Sequence, residues 1–186
     1  MGLRFSKLLK SILEQQSKKK QRLSPAENLK FWCESGLDQD GFQKKLIDRK
    51  IGFGVFTTQQ FSKGSFLLEY VGERITPEEA EEREKRKKRG HCYVYYFKWN
   101  GMRCIDASES FQRLGRYVND AALDDPENNA VMKLKVVNNY PRLCLFARRN
   151  IKKGEEIRYD YGDSIENLSW RHQSLIMMQM MMTHLS

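Results

Sequence analysis

The chain has 186 residues, 40% of them hydrophobic, which suits one domain with a single core. Its 33 Lys and Arg against 24 Asp and Glu give a net charge of +9 and a pI near 9.4, favouring an acidic partner such as nucleic acid, chromatin or an anionic surface. No apolar run approaches the ~20 residues of a membrane-spanning helix, so we expect an intracellular protein without a membrane span or secretory signal.

The N-terminal 22 residues are polar and basic, and we expect them to form a flexible arm. This arm contains the basic run Lys18–Arg22, and its first six residues fit the loose pattern for myristoylation of Gly2. Residues 23–44 form a flanking helical region. Ser24 to Glu27 make a capping box with proline at the first helical position, which predicts a helix to about Glu34 that ends at Gly36. We expect Leu29 and Trp32 to pack on the domain.

The middle of the chain indicates short strands separated by glycine. The predicted strands are 46–47, 54–57 and one long strand over 65–73. Thr76-Pro77 opens a charged helix that Gly90 ends. The basic run Arg83–Arg89 on this helix could act as a nuclear-import or phosphate-contacting patch, but it could equally be a solvated helix face, because acidic residues precede it.

The remaining predicted elements are strands. An aromatic strand over 93–99 is followed by Asn100-Gly101, a strong hairpin signal, and by its partner strand over 102–106. A polar loop over 120–129 precedes strands over 131–137 and 142–147, joined across 138–141. The prediction is a mostly β fold with short helices, made of several small sheets without alternating βαβ units.

The four cysteines are Cys33, Cys92, Cys104 and Cys144. Their spacing matches neither a zinc cluster nor a disulfide framework. We therefore expect buried thiols in a reducing compartment and no metal site.

Two tyrosines near the C-terminal end are the strongest functional signal. If residues 156–161 are extended, Tyr159 and Tyr161 lie on one face and Asp160 lies on the other. Two phenols on one wall suit a site that orients an amine and a water. The pair Gly52 and Gly54 would let a backbone approach a ligand closely, although such a pair more often marks an ordinary turn.

These segments together, in their order along the chain, resemble the SET-domain lysine methyltransferases, and the resemblance covers about residues 45–170. The motifs that carry it are Ile51-Gly52-Phe53-Gly54, Leu68-Glu69-Tyr70-Val71-Gly72-Glu73, His91 to Phe97, Cys104-Ile105-Asp106-Ala107, Leu114 to Asp120 and Tyr159-Asp160-Tyr161-Gly162-Asp163. Within the family they are most similar to the histone H4 lysine monomethyltransferase (PR-Set) branch. The resemblance implies a SET fold over residues 45–163 with a knot-like C-terminal segment, then a short post-SET segment (164–172) and a Met-rich tail (173–186).

The resemblance also implies the site. Tyr161 would be the catalytic phenol, and Tyr70 and Tyr159 would line the lysine channel. S-adenosylmethionine would be the cofactor, and the residues implied to contact it are Ile51, Gly52, Phe53, Tyr93, Asn119, Asp120 and Trp170.

Three positions depart from the family pattern. Asp120 replaces the usual histidine, which could weaken contacts on the adenine side, and Phe53 replaces a basic residue. The Met-rich stretch Leu175–Met182 has no family counterpart; it could be an added helix or a disordered appendage.

The leading functional hypothesis is a nuclear, chromosome-associated enzyme that adds one methyl group to the lysine at position twenty of histone H4. Its expected partners are a histone tail or nucleosome, with non-specific DNA contact through the basic runs, and we expect a monomer. One alternative is a SET-fold chromatin-binding module that is catalytically weak or has lost turnover, motivated by Asp120 and by the basic runs. A second is a methyltransferase that acts on a non-histone protein.

Overall fold

The computed structural model describes residues 23–86 and 93–161. Within these ranges the elements in chain order are α1 (Pro25–Ser35), β1 (Phe42–Asp48), β2 (Gly52–Thr57), β3 (Phe66–Tyr70), β4 (Glu73–Ile75), α2 (Pro77–Arg86), β5 (Val94–Lys98), β6 (Met102–Asp106), a 3₁₀ turn (Leu114–Tyr117), β7 (Asn119–Asp120), β8 (Ala130–Val137), β9 (Tyr140–Ala147) and β10 (Arg158–Tyr159). The prediction of a mostly β fold with short helices is confirmed.

The strands form three small sheets. β1 and β2 make a two-stranded antiparallel sheet, and β4, β6 and β5 make a three-stranded sheet in that order. The third sheet has the order β3-β9-β8-β10-β7, in which β10 runs parallel to both of its neighbours. The main core lies between these sheets and includes Val55, Leu67, Leu145 and Ile157, all fully buried.

Helix α1 forms as the sequence predicts. The Ser24 hydroxyl accepts a hydrogen bond from the Glu27 backbone N–H at 3.3 Å, while the Glu27 carboxylate accepts one from the Ser24 backbone N–H at 2.9 Å. The helix ends at Gly36 in the left-handed conformation (φ 69°). Its Leu29 and Trp32 pack on the sheet, which confirms that prediction.

The three cysteines within the described residues are buried and unbridged, as expected. Cys33 of α1 and Cys144 of β9 lie with their Sγ atoms 4.0 Å apart in the core beneath α1. Cys104 lies in β6. The fourth, Cys92, lies outside the described ranges.

The long strand predicted over 65–73 is wrong, because the chain breaks into β3 and β4, which belong to different sheets. The break falls at Val71-Gly72. A Cβ on Gly72 would lie 2.3 Å from the Asp106 carbonyl oxygen, so two backbones touch at this point. This close approach lets the chain leave one sheet and enter the next.

Two of the β-hairpins turn through residues with positive φ. The turn from β5 to β6 contains Asn100 and Gly101 (φ 47° and 99°), as predicted, and Lys98 pairs with Met102 on either side of it. Asn138 and Asn139 (φ 53° and 62°) join β8 to β9, so the predicted four-residue connection over 138–141 is wrong. Pro141 instead lies within β9. Because β3 pairs with β9 only up to Leu143, the missing N–H of Pro141 removes no hydrogen bond between β9 and β3.

The basic side chains in the described part of the second basic run form ion pairs with carboxylates of this chain. Arg83 donates to the carboxylates of Glu73, Glu79 and Asp106 at 2.6–2.9 Å. Lys85 and Arg86 form helical ion pairs with Glu81 and Glu82. These ion pairs leave both interpretations of the run open, and residues 87–89 and the predicted stop at Gly90 lie outside the described ranges.

Candidate active site

The predicted tyrosine pair lies in a knot-like arrangement of strands. β10 pairs with β7 through Arg158 and Asn119 and with β8 through Tyr159 and Ala130. The 3₁₀ turn that leads into β7 is pressed against β3, where a Cβ on Gly115 would lie 2.3 Å from the Glu69 carbonyl oxygen. These contacts bring four distant parts of the chain to one place.

Buried Asn129 holds this arrangement together. Its side-chain Nδ2 donates to the Glu156 carbonyl at 2.7 Å, and its Oδ1 accepts from the Arg158 backbone N–H at 3.1 Å. It is only 1% exposed. The sequence reading placed Asn129 in a polar loop and missed this role, because its partners lie almost thirty residues further along the chain.

Four tyrosines converge on the knot. The rings of Tyr159 and Tyr161 lie 4.8 Å apart, which confirms that both side chains share one face. Tyr70 of β3 and Tyr95 of β5 lie 5.7 Å apart, and Tyr95 packs against both the cluster that contains Tyr159 and the cluster that contains Tyr70. The sequence reading assigned no role to Tyr95, although its aromatic strand was the available signal.

These four tyrosines, here called the tyrosine wall, differ in the hydrogen-bond partners of their hydroxyl groups. Tyr161 donates to the Val118 carbonyl at 2.6 Å, and Tyr70 donates to the Tyr93 carbonyl at 2.6 Å. Among the described residues, the Tyr159 hydroxyl has no hydrogen-bond partner. Its side chain is nevertheless buried, with 3% of the residue exposed.

The phenols are held in their neutral form. Burial raises the pKa of Tyr159 well above its usual range, and the neighbouring tyrosines and Asp120 add to the effect. Burial also raises the pKa of Tyr161, with Asp120 the next contributor. Neither phenol can therefore serve as a base near neutral pH; each can only donate or accept hydrogen bonds.

Asp120 has a structural partner within the site. Its Oδ1 accepts the backbone N–H of Tyr161 at 2.8 Å, which ties β7 to the end of the Tyr159–Tyr161 segment. A carboxylate at this position thus fixes the backbone that carries the predicted catalytic phenol.

Asn119 and the Ile51–Phe53 segment lie side by side. The Asn119 side-chain Nδ2 donates to the Phe53 carbonyl at 3.2 Å and to the Glu156 Oε1 at 2.8 Å. Gly52 has φ 84°, and Ile51 and Phe53 are 41% and 42% exposed. A partly exposed strand start next to a side-chain amide offers the donors and acceptors that a nucleoside or amino-acid ligand would use.

Tyr93 belongs to the same neighbourhood through Arg116. The Arg116 guanidinium stacks over the Tyr93 ring at 3.8 Å and lies 5.1 Å from the Tyr117 ring. The structure thus groups Tyr70, Tyr159 and Tyr161 around the knot, and it places Asn119 against Phe53. Trp170 lies outside the described residues.

The described residues contain no candidate metal cluster and no candidate membrane-spanning helix. No group of three or more His, Cys, Asp or Glu side chains there could hold a metal ion. No helix in the same ranges has the length and apolar character needed to cross a membrane.

The family model described as the SET domain matches residues 52–162. The N-lysine methyltransferase KMT5A of Xenopus tropicalis is 37% identical over 169 residues, which cover 87% of this chain and 47% of that protein. The histone-lysine N-methyltransferase Set8 of Drosophila melanogaster is 39% identical over 128 residues, covering 67% of this chain and 18% of that protein. This chain therefore spans less than half the length of these two relatives.

Solved structures show the same similarity. The crystal structure of CpSET8 from Cryptosporidium matches with a TM-score of 0.58 and 36% identity, covering 66% of this chain and 58% of that one. The ctPRC2 structure in an autoinhibited conformation bound to S-adenosylmethionine matches with a TM-score of 0.58 and 26% identity, covering 76% of this chain and 17% of that one.

Proposed function

Because this chain belongs to the SET-domain family, we propose that it is an S-adenosylmethionine-dependent protein-lysine methyltransferase that adds one methyl group to the lysine at position twenty of histone H4. The observation that carries the proposal is the wall of buried, neutral tyrosines around Tyr159. The names of the relatives, N-lysine and histone-lysine methyltransferases, support the substrate class.

The residues beside Asn119 fit the cofactor. The exposed Ile51–Phe53 backbone and the Asn119 amide supply polar contacts, and the rings of Phe53 and Tyr93 supply apolar surface. Asp120 would contribute through its backbone, since its carboxylate holds the Tyr161 N–H. When bound, S-adenosylmethionine supplies a methyl group already activated on a sulfonium. A role for Trp170 over the adenine remains part of the proposal.

The protein's task is to present an uncharged lysine amine in line with that methyl. Deprotonating a free lysine of pKa ~10.4 at pH 7 costs about 4.6 kcal/mol. A dry aromatic channel lowers the pKa of the lysine because burial disfavours its charged form. The tyrosine wall provides such surroundings, with Tyr70 and Tyr159 only 6% and 3% exposed.

Hydrogen bonding then aims the amine. Since Tyr161 and Tyr70 donate their protons to backbone carbonyls, their oxygens are fixed in place and can accept N–H groups from a neutral amine. This turns the nitrogen lone pair toward the methyl, which is catalysis by positioning. The proton released by the lysine would leave through ordered water, because burial raises the pKa of Tyr161 and keeps its phenol neutral.

An extended peptide has a place to bind beside this wall. Within the described residues, β5 is an edge strand that pairs only with β6, and its Tyr95 packs on the knot. A histone tail could add to this edge as a further strand. We further propose a nuclear, chromosome-bound monomer, non-specific DNA contact through the basic arm, and domain limits of 45–163.

Methyl transfer onto nucleosomes, whole histones and H4 tail peptides tests the proposal, with mass spectrometry locating and counting the methyl groups. The matched control is the same peptide with arginine at position twenty. Labelling that this change abolishes is the expected result. Labelling of another site would instead favour a different lysine or a non-histone substrate.

Cofactor binding distinguishes an active enzyme from the inactive chromatin-binding module. An active enzyme should be stabilised thermally by S-adenosylmethionine, by about 2.7 kcal/mol at one hundred times its Kd. Nucleosome binding with neither stabilisation nor transfer would contradict the enzymatic proposal and favour the module.

A further inference from the structure

The ammonium group of Lys44 lies over two aromatic rings next to the proposed cofactor segment. Its Nζ is 4.7 Å from the Phe53 ring centre and 4.4 Å from the Tyr117 ring centre. Alternation along β1 sends the adjacent Lys45 to the opposite face, where its Nζ lies 4.9 Å from the Phe56 ring centre. The two rings therefore hold the end of a long, exposed side chain at a defined position.

The cluster around Lys44 carries unbalanced positive charge. Arg116 shares the Tyr117 ring and is only 6% exposed. Among the described residues, its one hydrogen-bond acceptor is the Ser108 carbonyl at 2.6 Å, and its buried Nε has no partner there. In residues 23–86 and 93–161, no carboxylate lies within ion-pairing distance of Lys44 or Arg116. Two cations without a counter-ion create a potential that attracts an anion.

The position of this charge indicates which anion. Phe53 belongs to the proposed cofactor segment Ile51–Phe53, and its carbonyl accepts a hydrogen bond from Asn119. The Lys44 ammonium lies over the uncharged ring of this same residue. The nearby carboxylate of Glu156 is already held by Asn119 and Arg158. A ligand that lies against Phe53 and Asn119 and carries a carboxylate would meet an ammonium group that has no carboxylate partner among the described residues.

We propose that Lys44 binds the carboxylate of the cofactor's amino-acid end, with the rings of Phe53 and Tyr117 fixing the ammonium. This inference rests on the proposed use of S-adenosylmethionine. Lys44 would contact the end of the cofactor that does not react, through a charge-assisted hydrogen bond. It is a binding and positioning residue of this chain, and it supplies the charge that Phe53 does not.

Decarboxylated S-adenosylmethionine provides the test, because it keeps the sulfonium and the adenosine and lacks only the carboxylate. Calorimetry on the full chain should show that Lys44→Met weakens S-adenosylmethionine binding about tenfold, which is ~1.4 kcal/mol. The same variant should bind the decarboxylated compound as the parent does. Lys44→Arg should restore most of the lost affinity.

Lys45→Met is the matched control, since it makes the same change in net charge and also removes a lysine from over a ring. Its affinity for both compounds should equal that of the parent, and unfolding temperatures without ligand should show that all variants fold. Equal losses for both compounds in Lys44→Met, an unchanged affinity, or tighter binding would each overturn the role of Lys44 while leaving the proposed function standing. A parent chain that binds neither compound would overturn both.

Discussion

Replacing Tyr159 by phenylalanine tests how the site limits the number of methyl groups. Tyr159 is 3% exposed as a residue, and none of the hydrogen bonds among the described residues involves its hydroxyl, so removing the hydroxyl leaves no described donor or acceptor without its partner. We expect the free energy of unfolding to change by less than ~1 kcal/mol. In the lysine channel of the proposed function, the hydroxyl would hold a water in the space that a methylated amine needs for a second transfer.

The magnitude follows from that water. Holding it should contribute about 1–2 kcal/mol, so losing it should raise the ratio of second to first transfer ~10-fold. Tyr159→Phe should therefore produce dimethyl-lysine where the parent produces mainly monomethyl-lysine, with little change in the first step. The hydroxyls of Tyr161 and Tyr70, which are proposed to hold the amine, remain in place.

Time-resolved mass spectrometry of a methylated H4 peptide measures both steps in one reaction. Tyr140→Phe is the matched control, because Tyr140 is 58% exposed at a hairpin end and should leave the product ratio unchanged. Dimethylation by the parent at a rate comparable to its first step would refute the reasoning. So would a variant that still stops at one methyl group.

Four further predictions concern the same site. Tyr161→Phe should slow methyl transfer about 10²–10³-fold while calorimetry finds cofactor affinity nearly unchanged, and parent-like turnover would place the catalytic role elsewhere. Asp120→Ala removes the acceptor of the Tyr161 N–H at 2.8 Å, so kcat should fall more than cofactor affinity; a selective loss of affinity would argue against this. Asn129→Ala leaves the Glu156 carbonyl and the Arg158 N–H in the knot without their side-chain partner, and it should lower the free energy of unfolding by ~3 kcal/mol in urea titrations. The comparison is Asn150→Ala at an exposed position, which should lower it by less than ~1 kcal/mol. Burial raises the pKa of Tyr159 and Tyr161 above ~10, so the transfer rate should climb with pH as the substrate lysine deprotonates, with no fall from tyrosine ionisation below pH ~10. A fall in rate near pH 9 that Tyr161→Phe abolishes would contradict the raised pKa of Tyr161.

The sequence alone determined the features that depend on neighbours along the chain. The capping box of α1 and the Asn100-Gly101 turn act over two to four residues, so the sequence predicts them well. The common face of Tyr159 and Tyr161 follows from the two-residue period of extended chain. The order of the motifs along the chain indicated the SET family.

Local patterns misread the chain where distant contacts dominate. Residues 65–73 look like one apolar strand, but the close contact between the Gly72 and Asp106 backbones divides it between two sheets. Pro141 suggests the end of a strand, yet the edge of the sheet tolerates it inside β9. In the first case the contact that decides the structure lies far away in the sequence. In the second, β9 has no neighbouring strand on one side of Pro141.

The tertiary structure alone decided how the site is assembled. Tyr70 and Tyr95 reach the knot from strands in different sheets, and Asp120 meets the Tyr161 N–H across forty-one residues. The Lys44 ammonium likewise stands over Tyr117, more than seventy residues away in the chain. No periodicity encodes such pairs, because each is selected by the packing of elements on one another rather than by the conformation of either segment.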